Sequence, residues 1–575
     1  HSCGLCVVGG GTAGICAAIA AARHGAKVVL MQDRPVLGGN SSSECRIHVC
    51  GADRHNGIKN MRETGLLEEI RLDNLRCNPL RNFSIWDTVL YEKVKAEKNI
   101  ELLLNCSCVD AEMNGGKISS VTGWQLTTET VHEVEAHIFA DCSGDGILAP
   151  LTGAEFRMGR EARSEYGESI APEKADSRTM GMTCLFQARE YSSPQPYTPP
   201  SWARKFEKCE DLPYGRGGHN WLEMGYWWVE LGEENSIHGT EETRDELLKI
   251  VFGLWDHIKN RCPDRARAEN WALDWIQFLP AKRESRRFIG AHVLTQKDVE
   301  AGGRFPDVVA YGGWSMDDHH MMGFNAAKLG EPATIFHHAP SPYGIPYGCL
   351  YSKNISNLMF AGRNASCTHA AMSSTRVMGT GAVMGQAVGT AAAMAVKEKL
   401  LPREISAHMK ELQATLLDDD CYLPGIPAEY PKAVRAAKLA ASQGDPEPVR
   451  DGITRPVGEN LHRWDCSEGD WIAYEFEKPQ AVKSLTLVLD SAMDRNIALS
   501  HHQKDDQLTS PPDTLPKDFD VEEMSGGKWT VLKKVRGNYQ RLLRIAVDKP
   551  VNGLRFKLLK THGSQRSAVY AFYFR

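Results

Sequence analysis

The stretch that most limits what this chain can fold into is Leu5 to Asp33. Leu5 to Val8 is apolar, Gly9-Gly10-Gly11-Thr12-Ala13-Gly14 carries the G-x-G-x-x-G spacing, and the alanine-rich run Ile15 to Arg23 is followed by Gly25. A second apolar run, Lys27 to Met31, comes next. This order predicts strand, tight turn, helix and parallel strand, the βαβ start of a dinucleotide-binding fold. Gly9 permits the turn, Gly11 lets backbone approach a pyrophosphate, and Gly14 lets the helix lie close to the strand. Thr12 and Ala13 begin the helix, whose free N–H groups and positive dipole end face the phosphates. Where an acidic residue normally closes the second strand, the chain has Gln32, Asp33 and Arg34. Gln32 or Asp33 can accept a ribose hydroxyl, and the sequence leaves both open.

At 575 residues the chain exceeds a single core, so roughly two to four domains are expected. A net charge of −6 with 24% charged residues points away from a nucleic-acid partner. Gly379 to Val396, interrupted by Gln386, reads as a buried helix, and no transmembrane segment is expected. The chain starts at His1 without an initiator methionine, which fits removal of an upstream piece. The compartment stays open, with an exported or periplasmic location favoured. Sixteen cysteines in so long a chain make no dense disulfide framework.

Beyond the second strand, Leu37-Gly38-Gly39-Asn40-Ser41 forms a turn of small residues able to approach a cofactor, so Gly39, Asn40 and Ser41 are candidate contacts. Glu44 to Cys50 alternates: Glu44, Arg46 and His48 fall on one face of an extended segment, Cys45, Ile47 and Val49 on the other. A face bearing Arg46 and His48 suits a wall of the reaction site, and a plain surface strand fits equally well. Cys45 and Cys50 have opposite parity there, which argues against a bridge. Helices are expected within residues 60–98, strands at Ile100–Val109, Ile118–Thr128 and His137–Asp141, then the turn Cys142-Ser143-Gly144-Asp145-Gly146. From Glu155 to Ser341 the texture changes, with aromatic strands at Asn220–Glu230 and a helix at Glu241–Arg261. The cationic run Ala281 to Arg287 and the stretch Asp317-Asp318-His319-His320 are both read chiefly as solvated surface, and no metal site is expected. Leu358–Ala361 is a strand, Gly362-Arg363-Asn364 a turn, and Gly381–Val396 a helix. After a helix with an Ile405, Met409, Leu412 and Leu416 stripe and a Pro-rich linker, short strands from Trp471 to Phe574 predict a β-sandwich.

VVGGGTAG, QDRPVLGGNSSSE, RESRRFIG, PYGIPYGCLY and NLMFAGRNASCTHAAMSSTRVMGTGAVMGQAVGTAAAMA together resemble a bacterial FAD-dependent oxidoreductase family with a glutathione-reductase-like FAD domain. The resemblance spans roughly the first 400 residues. It implies FAD as cofactor, held also by Ser143, Gly144, Asp145, Gly362, Arg363, Thr380, Gly381, Gly385 and Gln386, with the helix at Thr380–Gln386 facing the flavin. WDCSEGDWIAYEF and GLRFKLLKTHGSQRSAVYAFYF are similar to discoidin-like modules, which often bind sugars.

The expected architecture is therefore α/β. A Rossmann-like FAD domain (1–154 and 342–400) carries an inserted α+β substrate domain (155–341), then a helix and linker (401–432) and a C-terminal all-β sandwich (433–575). The leading function is oxidation of an organic hydroxyl substrate, a carbohydrate or oligosaccharide, with electrons passed to an external acceptor. A redox-neutral lyase or hydrolase, and a non-catalytic sugar-binding protein, are the alternatives. No second G-x-G-x-x-G unit follows Asp33, so NAD(P)H is not expected as hydride source. Trp221, Tyr226, Trp227, Trp228, Trp314, Tyr343 and Tyr347 suit stacking on sugar rings, although most such aromatics belong to cores. His369 is the favoured acid–base group, with His48 the competitor and Arg46 available to hold an anion.

Overall fold

The computed structural model describes all residues except 225–227, 233–234 and 502–505, and leaves the side chain of residue 216 undescribed. Its first sheet contains β1 (Ser2–Val8), β2 (Val28–Met31), β3 (Ile100–Leu103), β4 (Cys106–Asn114), β5 (Lys117–Gln125) and β6 (Thr130–Asp141), in the order β3-β2-β1-β6-β5-β4. The first three strands run parallel, and β6 joins β1 in parallel from Glu135 to Asp141. The other end of β6 pairs antiparallel with β5, from Thr130 to Glu135, and β5 pairs antiparallel with β4. The strand Leu358–Phe360 returns some two hundred residues later to lie parallel to the end of β6. Leu5 to Val8 of β1 and all of β2 are continuous apolar, buried runs because both faces of the sheet are covered there.

The covering on one face is α1 (Thr12–Arg23) crossed by the long helix Met378–Glu398. Their approach is set by glycines one turn apart. A Cβ on Gly385 would lie 2.0 Å from the Ala13 carbonyl oxygen, and one on Gly389 would lie 2.1 Å from that of Ala17. Only hydrogen fits there, so the two backbones nearly touch and alanines of both helices enter one core.

Residues 155–341 contribute to more than one core. Met182, Phe186, Leu247, Val251, Leu254 and Trp255 pack around the helix Thr240–Asp256 in a cluster of their own, whereas Leu294, Val308, Tyr311 and Met316 belong to the main core with α1. The strands in this span form two-stranded antiparallel ribbons, and Val308–Gly312 takes its antiparallel partner, Tyr343–Pro346, from just beyond it. Of the expected aromatic strand at Asn220–Glu230, only Glu230–Leu231 is a strand, and Tyr226 and Trp227 lie outside the described residues.

The C-terminal part is an antiparallel sandwich built on two very long strands, Trp471–Leu489 and Leu542–Thr561. Short strands were expected across this region. Register shifts between Glu475 and Gln480 and between Val482 and Ser484 bend the pair, so each half joins a different layer. The sandwich is locked to the first 400 residues by buried arginines. Arg62 pairs with Glu68 at 2.7 Å and donates to the Ser491 and Ala492 carbonyls, while Arg455 reaches Thr64 Oγ1 at 2.8 Å and lies over the Tyr422 ring. Among the described residues no helix is long and apolar enough to cross a membrane.

Candidate active site

One elongated cavity of about 840 Å³ begins at the glycine turn and ends among residues of the 155–341 span. At the first end, Gly9 has φ of 106° and a Cβ there would stand 2.5 Å from the Cys142 carbonyl. Gly14 packs on the turn itself, its Cβ position being 1.8 Å from the Gly9 oxygen. Gly11 differs from both: nothing lies within 4 Å of its Cβ position, because it faces the cavity. It is also the N-cap of α1 and supplies no side-chain hydrogen bond, so the N–H groups at the helix start are left for a ligand. The long helix starts on the same cavity, with Val377, Met378 and Gly381 in its wall and Val377 as an N-cap without a side-chain bond. Gly379 N, in the first turn of the long helix, donates to Cys50 O at 2.8 Å, and the N-termini of both helices face the same cavity, which fits an anionic dinucleotide.

Thr12, Ala13, Gln32, Asp33, Arg34, Gly39, Asn40, Ser143, Gly144, Asp145, Gly362, Arg363 and Gly381 line the cavity together. Gln32 is committed to the fold: its Oε1 accepts from Gly10 N at 2.7 Å and its amide donates to Val36 O. Asp33 is exposed at the rim and is the residue of the two left to meet a ribose. Arg34 pairs with Glu44, and Asn40 donates to Lys282 O at 3.1 Å. Asp145 lies between Lys282 and Arg363, both at 2.7 Å. Burial pushes its carboxyl up, but the two cations outweigh burial and hold it down at about 2. The run 281–287 is therefore no solvated surface. Arg283 lines the cavity and pairs with Glu230, and Arg287 is buried between Glu161 and Glu284.

Five expected contacts sit elsewhere. Gly14 and Gly385 serve backbone packing, as above. Ser41 bonds Gly38 O and the Trp86 indole, and Gln386 accepts from Leu66 N at 2.9 Å. Thr380 is buried behind the wall, its Oγ1 without a partner among the described residues.

The segment Glu44–Cys50 is not a strand. Backbone N–H groups of Cys45 and Arg46 turn back to Ser42 O, and Arg46 has φ of 54°, so the alternation is broken at that residue. Arg46 leaves the cavity side, pairs with Gln187 and covers the Trp275 ring at 4.3 Å. His48 stays in the cavity wall, with Nε2 3.2 Å from Nε2 of His55 and the rings 4.7 Å apart. His55 also meets Cys50 Sγ at 3.6 Å and packs edge-on against Trp314. Burial lowers the His55 pKa, and burial raises the Cys50 thiol to about 12, so at neutral pH the imidazole is neutral and the thiol protonated. Sequence reasoning passed over His55, although its closeness to His48 and Cys50 was a usable signal.

Asp317 and His319 were expected on a surface loop. They belong to the strand Met316–His319 and line the far end of the cavity. His319 joins Glu230 at 2.8 Å and Asp317 at 3.2 Å, and Asp317 meets Arg376 at 3.1 Å and Thr334 at 2.7 Å. Burial opposes the Asp317 charge, yet His319 and Arg376 hold the carboxyl well below the usual range.

His369 is not in the cavity wall. Its Nδ1 lies 3.0 Å from Glu284 and its Nε2 3.2 Å from Asp318, behind the strand that carries Asp317. Burial works against the charged ring, but the two carboxylates prevail and raise its pKa to about 10. A protonated ring with both nitrogens engaged has no lone pair to accept a proton, which removes the expected base.

Of the aromatics, Trp221 and Trp314 line the cavity, Tyr343 and Tyr347 are core, and Trp228 packs in the second core.

The sheet order, the glycine turn and a cavity fed by two helix N-termini define a dinucleotide-dependent enzyme of the glutathione-reductase-like kind. Residues 4–416 match the family described as FAD dependent oxidoreductase. The chain belongs to that family: it is an FAD-dependent oxidoreductase. No curated protein matches the chain. Solved structures similar to it include a geranylgeranyl bacteriochlorophyll reductase-like protein from Thermoplasma acidophilum, with 12% identity, 73% of this chain and 84% of that chain covered and a TM-score of 0.32. A p-nitrophenol 4-monooxygenase from Pseudomonas putida has 12% identity, 72% and 85% coverage and a TM-score of 0.33. On the C-terminal region, a family 32 carbohydrate-binding module from Streptococcus pneumoniae has 17% identity, 24% and 95% coverage and a TM-score of 0.19.

Proposed function

We propose that this enzyme oxidises a hydroxyl group of a carbohydrate and passes the electrons to an external acceptor, with the His48–His55 pair as its base. The observation that carries the proposal is the pair itself, two imidazoles 3.2 Å apart in the wall of the cofactor cavity. The residues that would hold FAD are Gly9, Gly11, Thr12 and Ala13 at the pyrophosphate, Asp33 at the ribose, and Ser143, Asp145, Arg363 and Gly381 along the remaining length. FAD supplies the two-electron oxidant. As the carbinol carbon is oxidised its hydroxyl must release a proton. His55 is neutral and its ring contacts His48 nitrogen to nitrogen, so one ring donates where the other accepts. A proton taken by one ring can pass to the other and away from the reacting oxygen. Trp314 and Trp221 offer apolar faces for a sugar ring, and Asp317, Thr334 and Arg376 offer polar groups for its hydroxyls.

Anaerobic mixing with a panel of aldoses and alditols tests the proposal. His48→Asn and His55→Asn should keep bound FAD and slow flavin reduction about 100-fold. Rates equal to wild type in both variants would contradict the assignment of the base.

A further inference from the structure

Outside the cofactor cavity, four buried side chains converge in the second core. Cys209 opens a short 3-10 turn (Cys209–Asp211), His219 closes another (Gly215–His219), His257 opens the π-helical turn (His257–Arg261) that continues the helix Thr240–Asp256, and Cys262 follows it. Their donor atoms all lie within 4.8 Å of one another. Sγ of Cys209 is 3.9 Å from Sγ of Cys262, 3.6 Å from His219 Nε2 and 3.4 Å from His257 Nε2, and His219 Nε2 is 3.3 Å from Sγ of Cys262.

We propose that Cys209, His219, His257 and Cys262 bind one zinc ion as a closed structural site. The metal-to-ligand lengths of tetrahedral zinc, about 2.3 Å to sulfur and about 2.0–2.1 Å to nitrogen, require sulfurs about 3.8 Å apart and sulfur–nitrogen distances of about 3.6 Å. The observed separations meet both. A two-iron cluster would hold its cysteines and histidines on different irons, whereas here each imidazole nitrogen abuts a sulfur, so a single ion is specified. The outer contacts agree. His257 Nδ1 donates to Phe206 O at 2.8 Å and His219 Nδ1 to Gly215 O at 3.1 Å, which turns both Nε2 lone pairs inward. The Asp264 N–H points at Sγ of Cys262 from 3.4 Å, as a thiolate ligand favours. Two thiolates and two neutral imidazoles cancel the charge of a dication, which suits residues that are 0–5% exposed. The ion would tie the 209–219 loop to the end of the helix, and that loop leads directly to Trp221 in the cavity wall.

Elemental analysis of the purified full-length protein, grown with zinc, should find about one zinc per chain, and Cys209→Ser with Cys262→Ser should abolish it. Should the variant fail to fold, X-ray absorption on the wild-type protein decides: a first shell of two sulfurs and two nitrogens is expected. A shell without sulfur, zinc well below stoichiometric, or a Cys209–Cys262 disulfide in the mass spectrum would each overturn the site.

Discussion

At His369 two effects of opposite sign meet, and their sizes determine what the residue can do. Desolvation favours the neutral ring, but carboxylates at 3.0 and 3.2 Å favour the cation more strongly. A folded pKa raised to about 10 means the stabilisation is fully present below 6.5 and is lost as pH climbs through about 10. Thermal melts should therefore fall across that window, and His369→Ala, which leaves Asp318 without its cation, should flatten the fall and cost about 3 kcal/mol. A melting profile identical to wild type would refute this. The Arg62–Glu68 pair has the opposite sign. Burial raises the Glu68 pKa and Arg62 overrides it to about 2, so this stabilisation holds above 4.5 and disappears as pH falls toward 2. These partners could not be read from sequence. Glu284 and His369 stand 85 positions apart, and no local pattern shows which carboxylate a buried histidine will meet.

Among the elements, the glycine-bearing helices divide by task. The turn at Gly9 to Gly14 was legible because its requirements are local: a left-handed φ, an open Cβ direction and a helix start within a few residues. Gly381 and Gly385 were expected as cofactor contacts, and only the crossing with α1 shows that Gly385, like Gly389 one turn on, is a packing position. The two uses predict different failures. Gly385→Val should drive its side chain into the Ala13 carbonyl and cost about 3 kcal/mol, read as a loss of soluble protein and a lower melting temperature. Gly11→Ala meets nothing within 4 Å and has an ordinary φ of −68°, so the apo-protein should melt as wild type while FAD affinity falls. An apo melt lowered by Gly11→Ala, or unchanged flavin content, would reverse the assignment. The break of alternation at Arg46 was invisible in sequence because arginine carries no signal for a positive φ.

For the whole molecule, the sandwich is joined to the oxidoreductase part by buried charge. Arg62 and Arg455 reach across the joint, and Arg541 meets Asp420 at 2.7 Å. Ser500, from the sandwich region, reaches the wall of the cofactor cavity. Arg62→Met would strand Glu68 without its cation and should cost about 3–5 kcal/mol, lowering a single melting transition shared by both parts. Two separate transitions in the wild-type protein would contradict a shared interior. That a sandwich follows the flavin part was legible from strand composition; that buried arginines hydrogen-bond across the joint was not, since Arg62 and Ser491 meet only after folding. The central claim for the whole enzyme is that electrons reach FAD from an organic hydroxyl substrate. Among the described residues, the strands of the 155–341 span pair as short antiparallel ribbons. The most direct measurement is an anaerobic titration of the purified flavoprotein, followed at the flavin absorbance, with a sugar panel in one arm and NADH and NADPH in the other. Bleaching by a sugar, with recovery on adding an electron acceptor and none with the nicotinamides, is the predicted result; rapid bleaching by NADH, or sugar conversion without net use of an acceptor, would contradict it.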